Sequence, residues 1–182
     1  ANSLANCTEL THITFGVCFN QPISYSLNKL LNLTHIRFGH NFNNPLNNFL
    51  NNHPSLIHIE LGFCFNQKVD LPHNISSLSL NSNNGNLTDY LPDAIEELKL
   101  GVYFNSKLDN LPSTIKKIIF HEKSVYNQEL NCLPNGLLIL QLPCEYDQQI
   151  CSIPGALTKL ICSKQYEFLN DFSGVQIENI EI

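Results

Sequence analysis

The chain has no methionine and no tryptophan, and its 10 Lys and Arg are outnumbered by 16 Asp and Glu, for a formal charge of -6 at pH 7. A basic stripe able to follow the phosphates of DNA, RNA or an anionic membrane surface is therefore lacking, and neither nucleic acid nor membrane is an expected partner. No apolar run approaches the roughly 20 residues of a transmembrane helix, and Ala1 to Thr8 lack the charged and apolar regions of a signal peptide, so the sequence reads as soluble and cytoplasmic. The seven cysteines (Cys7, Cys18, Cys64, Cys132, Cys144, Cys151, Cys162) are odd in number and irregularly spaced, with no Cys-x-x-Cys, which suits reduced thiols better than a disulfide framework. Catalytic signatures are missing too: there is no nucleophile elbow, phosphate-binding glycine loop, His-Glu-x-x-His or paired acidic motif, so no enzyme and no cofactor is expected.

What the chain does have is leucine and asparagine, 28 and 25 of its 182 residues. A Leu-x-x-Ile-x-Leu core recurs as Leu10-Ile13-Phe15, Leu33-Ile36-Phe38, Leu56-Ile59-Leu61, Ile75-Leu78-Leu80, Ile95-Leu98-Leu100, Ile115-Ile118-Phe120, Leu137-Leu140-Leu142, Leu157-Leu160-Cys162 and Ile177-Ile180-Ile182. Its steps lie between 19 and 23 residues, within the window of leucine-rich repeats. Alternate residues around each core are apolar, which is strand rather than helix periodicity. The expected architecture is a leucine-rich-repeat solenoid of the α/β horseshoe type, with a parallel sheet on its concave face. It has a short N-terminal segment over residues 1–9, then about nine repeats over 10–182 beginning near 10, 33, 56, 75, 95, 115, 137, 157 and 177.

Two further signatures recur in each coil. After the strand comes a glycine and then an aromatic-Asn pair: Gly16 with Phe19-Asn20, Gly39 with Phe42-Asn43, Gly62 with Phe65-Asn66 and Gly101 with Phe104-Asn105, softening to Tyr126-Asn127, Tyr146-Asp147 and Tyr166-Glu167. The glycine is read as a turning residue, the ring as filler between coils, and the Asn as a buried ladder that satisfies backbone groups no sheet reaches. Before the strands of the second half stand Leu71-Pro72, Leu91-Pro92, Leu111-Pro112, Leu133-Pro134 and Ile153-Pro154, suited to extended or 3₁₀-like segments on the convex side. The longer early repeats have room for helical turns at Ser26 to Leu31 and Asn47 to Leu50, so helical character is expected to fade towards the C-terminus.

Phe19-Asn20-Gln21-Pro22-Ile23 and Leu111-Pro112-Ser113-Thr114-Ile115 nearly spell the two halves of one repeat. On these residues the chain resembles the FNIP repeat family, a branch of leucine-rich repeats found in social amoebae and amoeba-infecting giant viruses. The resemblance runs from Leu10 to Ile182 and departs at Asn84-Gly85, where the Phe is lost, before Tyr126, where two residues are inserted, and in the last two repeats. It implies an interaction role, since relatives often join the repeats to an N-terminal F-box that docks on a ubiquitin-ligase scaffold while the repeats select a substrate.

Function is expected on the strand positions that point away from the core. One column reads His12, His35, His58, Ser77, Glu97, Lys117, Ile139, Lys159, Asn179; the other reads Thr14, Arg37, Glu60, Ser79, Lys99, Ile119, Gln141, Ile161, Glu181. Stacked repeats commonly bind partners on this concave surface, so a protein partner is expected at His12, His35, Arg37, His58, Glu60, Glu97, Lys99, Lys117, Ile119, Ile139, Gln141 and Ile161. Three aligned histidines invite a zinc reading, but a straight row diverges from any point about 2.0–2.1 Å from each nitrogen, so no metal is assigned. Ile119, Ile139 and Ile161 alternate between the columns and suggest an apolar patch. Open terminal repeats leave a competing expectation: a structural, self-assembling protein that forms a homo-oligomer edge to edge.

Overall fold

A computed structural model describes residues 4, 6–23, 27–46, 49–82 and 91–180. Among these residues nine short strands appear in chain order: β1 (His12–Thr14), β2 (His35–Arg37), β3 (His58–Leu61), β4 (Ser77–Leu80), β5 (Glu97–Leu100), β6 (Lys117–Phe120), β7 (Ile139–Gln141), β8 (Lys159–Ser163) and β9 (Gln176–Ile180). Each pairs in parallel with the strand before and after it, in one sheet of order β1 to β9. A strand of three to five residues cannot bury enough surface to persist alone. Stacking copies of one coil supplies the missing neighbours, and the chain is thus the leucine-rich-repeat-like solenoid that its periodicity predicts.

The middle residue of each core lies in one inward row. Ile13 pairs with Ile36, Ile36 with Ile59, Ile59 with Leu78, Leu78 with Leu98, Leu98 with Ile118, Ile118 with Leu140 and Leu140 with Leu160. All of these side chains are buried, and each contributes roughly 1.5–3 kcal/mol relative to an exposed position. Opposite the sheet the coil closes in two ways. Early coils fill the space with Leu27, Leu30, Phe49 and Leu50, and buried His53 bridges two of them through contacts to the carbonyls of Phe49 (3.0 Å) and Leu27 (2.9 Å). Later coils use one proline turn each, with the N–H of Ile75, Ile95, Ile115, Leu137 and Leu157 donating to the carbonyl of Pro72, Pro92, Pro112, Pro134 and Pro154.

Two expectations about local structure need correction. Among the described residues there is almost no helix: Leu27 to Leu33 forms two successive turns, a single 3₁₀ turn occupies Leu50–Asn52, and Ser26, Asn47 and Asn48 lie outside the described residues. A second 3₁₀ turn, Leu169–Asp171, stands near the C-terminal end, where 3₁₀-like segments are expected. The ninth repeat enters the sheet three residues early. Leu160 pairs with Ile177, so Gln176 and Glu178 take the outward columns, while Asn179 faces Cys162 and Glu181 lies outside the described residues. The cause is a shortened coil, in which buried Phe172 and Gly174 at φ 80° replace the Leu-Pro segment and the Phe172–Val175 turn stands where Pro154–Leu157 stands one coil earlier.

The glycines do something other than turn the chain. Gly174 alone among the described glycines has a positive φ. Gly39 and Gly62 are required by close approach instead: a Cβ on Gly39 would overlap the carbonyl of Gly16, and one on Gly62 the carbonyl of Gly39. The departure at Asn84-Gly85 lies outside the described residues.

Candidate functional site

Because parallel pairing sets His12 against His35 and His35 against His58, the first outward column carries three rings side by side. The His12 and His35 rings stack at 4.2 Å and 8°, and those of His35 and His58 stand 5.4 Å apart at 34°. Hydroxyls hold the ring nitrogens: His35 Nδ1 is 2.9 Å from Thr34 Oγ1, and His58 Nδ1 is 2.9 Å from Ser77 Oγ. Burial lowers the pKa of His35, and the neighbouring charge of His12 lowers it further. For His58 burial again comes first, followed by His35 and Lys99, with Glu97 opposing them.

The column continues as a polar line. Ser77 donates to Glu97 Oε2 at 3.2 Å, and Glu97 Oε1 receives Lys117 at 2.9 Å and Lys99 at 3.5 Å. Burial would raise the pKa of Glu97, but the Lys117 hydrogen bond, both lysine charges and Ser77 together leave it lowered. A Ser-His pair beside a carboxylate invites comparison with a hydrolase. Here the serine sits between the other two and commits its proton to Glu97, so it is not aimed at the imidazole as a nucleophile must be.

In the second column Arg37 Nε meets Glu60 Oε1 at 3.0 Å, and Asn81 Nδ2 donates to the same oxygen at 3.1 Å. These are half-exposed pairs worth about 0–1 kcal/mol each, so they shape the face more than they hold the fold. Ile119, Ile139 and Ile161 lie half-buried on adjacent strands as the period of two requires, bordered by Lys117 and Lys159. Gln141, expected to face a partner, turns to donate to the carbonyl of Phe120 at 3.1 Å. Lys159 pairs with Glu178 at 2.6 Å across the shifted last register.

Beside this face the structure holds a groove that periodicity does not reveal. It encloses ≈ 500 Å³ above the column of Gly16, Gly39 and Gly62, with Arg37, Glu60 and Asn81 on one wall and His40, Phe63 and Tyr103 on the other. Phe63 and Tyr103 are 39% and 54% exposed, and Phe63 packs 4.9 Å from His40 and 4.8 Å from Tyr103. A signal was available: a large aromatic one or two residues past the glycine, at a position no repeat requires.

The Phe-Asn signature is structural, with one correction. Phe42 and Phe65 are buried and stack on their neighbours, the Phe19–Phe42 and Phe42–Phe65 centroids lying 6.0 and 6.1 Å apart, and Phe104 is 6.0 Å from Tyr126. The stack continues through Tyr146 and Tyr166, whose hydroxyls donate to the carbonyls of Gln128 and Gln148, and burial pushes both pKa values up. The asparagines are not buried: Asn20, Asn66 and Asn105 are exposed and Asn43 is half-exposed. Three of them still reach along the stack, since Asn20 Oδ1 accepts the N–H of Asn43 at 2.9 Å, Asn43 Oδ1 that of Asn66 at 3.1 Å and Asn105 Oδ1 that of Asn127 at 3.3 Å. The same oxygens accept a second bond from the side-chain amides of Asn44, Gln67 and Gln128, so the ladder runs along the rim.

Comparison with known proteins agrees with this geometry. The FNIP Repeat family profile matches residues 84–123. Over 87% of its length the chain is similar, at 31% identity and a TM-score of 0.68, to the giant-virus protein CroV588, whose crystal structure was described as a novel circular LRR protein. The chain spans 24% of that protein's length. No curated protein matches it.

Proposed function

Since the chain is an FNIP-repeat protein folded as a leucine-rich-repeat-like solenoid, we propose that it works as a non-enzymatic interaction module, holding a protein partner on the outward face of its sheet. The observation that carries this reading is the face itself. Outward side chains from β1 to β9 lie in two continuous columns, with ion pairs in the middle, a half-buried Ile cluster towards the C-terminal end and an aromatic-walled groove alongside. Such a surface offers the separated polar and apolar contacts that protein recognition uses. A narrower assignment, substrate selection for a ubiquitin-ligase adaptor, follows from the F-box that relatives often carry.

The experiment compares partners captured from amoebal lysate by the wild-type chain with those captured by Ile139→Asp and His35→Ala, after circular dichroism has established that both variants fold. Each substitution should lose specific partners that the wild type retains. If both variants keep every partner, the outward face is not the binding surface.

A further inference from the structure

We propose that the first third of the sheet face becomes a carboxylate-binding site when the His12–His35–His58 row takes up protons, and that its ligand is an acidic peptide segment. The inference rests on the same face being the binding surface, and narrows what it binds.

The argument begins with the hydroxyls. Thr34 donates its proton to the carbonyl of Thr11 at 3.0 Å, and Ser77 donates its own to Glu97 at 3.2 Å. Each oxygen then has only a lone pair left for its histidine, so Nδ1 of His35 and of His58 must carry hydrogen in the neutral ring. Nε2 is the one nitrogen in each ring still able to accept a proton. When it does, an acceptor becomes a charged donor, and a hydrogen bond from such a donor to a carboxylate is about twice as strong as a neutral one.

The surroundings then decide which ligand fits. The outward positions of β1 to β5 hold, besides the row, Thr14, Arg37, Glu60, Ser77, Ser79, Glu97 and Lys99, with Lys117 next on β6. Glu9 lies shortly before β1, and Glu96 immediately before β5. Both facing carboxylates are already engaged, Glu60 by Arg37 and Asn81, Glu97 by Lys117, Lys99 and Ser77. Three cations against two carboxylates leave the face one positive charge, and every ring that is protonated adds another. Burial first, and then the charge of the preceding ring, lowers the pKa of His35 and of His58, so these two rings charge below the usual histidine range. An anion lying along the row relieves that repulsion, and binding is coupled to proton uptake. The near-parallel His12 and His35 rings cannot converge on a metal.

The test is fluorescence anisotropy of labelled hexaglutamate with the full chain at low ionic strength, at pH 7.5 and 5.5. The wild type should bind about tenfold more tightly at the lower pH. The increment should vanish in H12N/H35N/H58N and survive in His73→Asn, which lies off the face. Binding of the peptide is read directly, with no lysate partner involved, so that failure of this site and failure of the partner-binding reading are told apart. The proposal is overturned if the wild type gains nothing in acid, if the triple variant gains as much, or if a hexauridylate probe binds as tightly as the peptide.

Discussion

At the scale of single residues, glycine is where close packing is most sharply tested. Gly39 and Gly62 lie where consecutive coils bring backbone against backbone, and a methyl group there would press into a carbonyl that the neighbouring coil cannot move freely. Gly16 has nothing within 4 Å of its absent Cβ. Gly39→Ala should therefore cost roughly 1–3 kcal/mol in urea unfolding, the usual range for overpacking. Gly16→Ala should be neutral or stabilise by up to about 1 kcal/mol through the unfolded chain. Equal effects at the two positions would remove close approach as the reason for glycine. Single residues were also read from sequence with uneven success. The two outward columns were legible because a strand has a period of two, and one register error would have turned every side chain inward. Phe63 and Tyr103 were not, because repetition identifies shared positions: Phe63 stands where other coils have Val17, His40 and Val102, and Tyr103 where they have Cys18, Asn41 and Cys64.

Among elements, the aromatic stack and the amide ladder run side by side over the same coils but carry unequal weight. Phe42 is fully buried between Phe19 and Phe65, so Phe42→Ala opens a cavity and should cost about 3–5 kcal/mol. Asn43 accepts from the N–H of Asn66 and from Gln67 Nε2 at 3.0 Å, but at the rim, where water can replace it. Asn43→Ala should cost only about 0.5–1.5 kcal/mol, measured in the same denaturant series. A larger loss at Asn43 than at Phe42 would make the ladder, not the stack, the element that joins the coils. The same contrast explains what the sequence left open about these elements. An unsatisfied amide is costly in the interior, which predicts burial of Asn, yet bonds across to the next coil from an exposed rim satisfy it equally well. Eight strand registers were legible from the inward Ile and Leu row. In the ninth, Ile177 and Ile180 both offered a plausible inward residue, and the choice depended on how tightly Phe172 and Gly174 close the coil, which no repeat pattern specifies.

At the scale of the molecule, the sheet order means that among the described residues each strand pairs with the strands before and after it, and no strand pairing joins distant parts of the chain. Stability in such an array is approximately a sum of coil terms and nearest-neighbour terms, so a local defect should spread over a few coils and then fade. Leu160 tests this well, being fully buried on β8 and paired with Leu140 on one side and Ile177 on the other. Leu160→Ala should remove about 2–5 kcal/mol from its own coil. Hydrogen exchange followed by mass spectrometry should then show faster exchange across β7, β8 and β9, while the amides of β1 to β3, which carry the histidine row, keep wild-type protection. Acid-dependent binding of hexaglutamate, which depends on that row, should be unchanged in the same variant. Uniform loss of protection from β1 to β9 would instead mean that the nine coils unfold as one unit, and the histidine face could then not be perturbed independently of the Ile face.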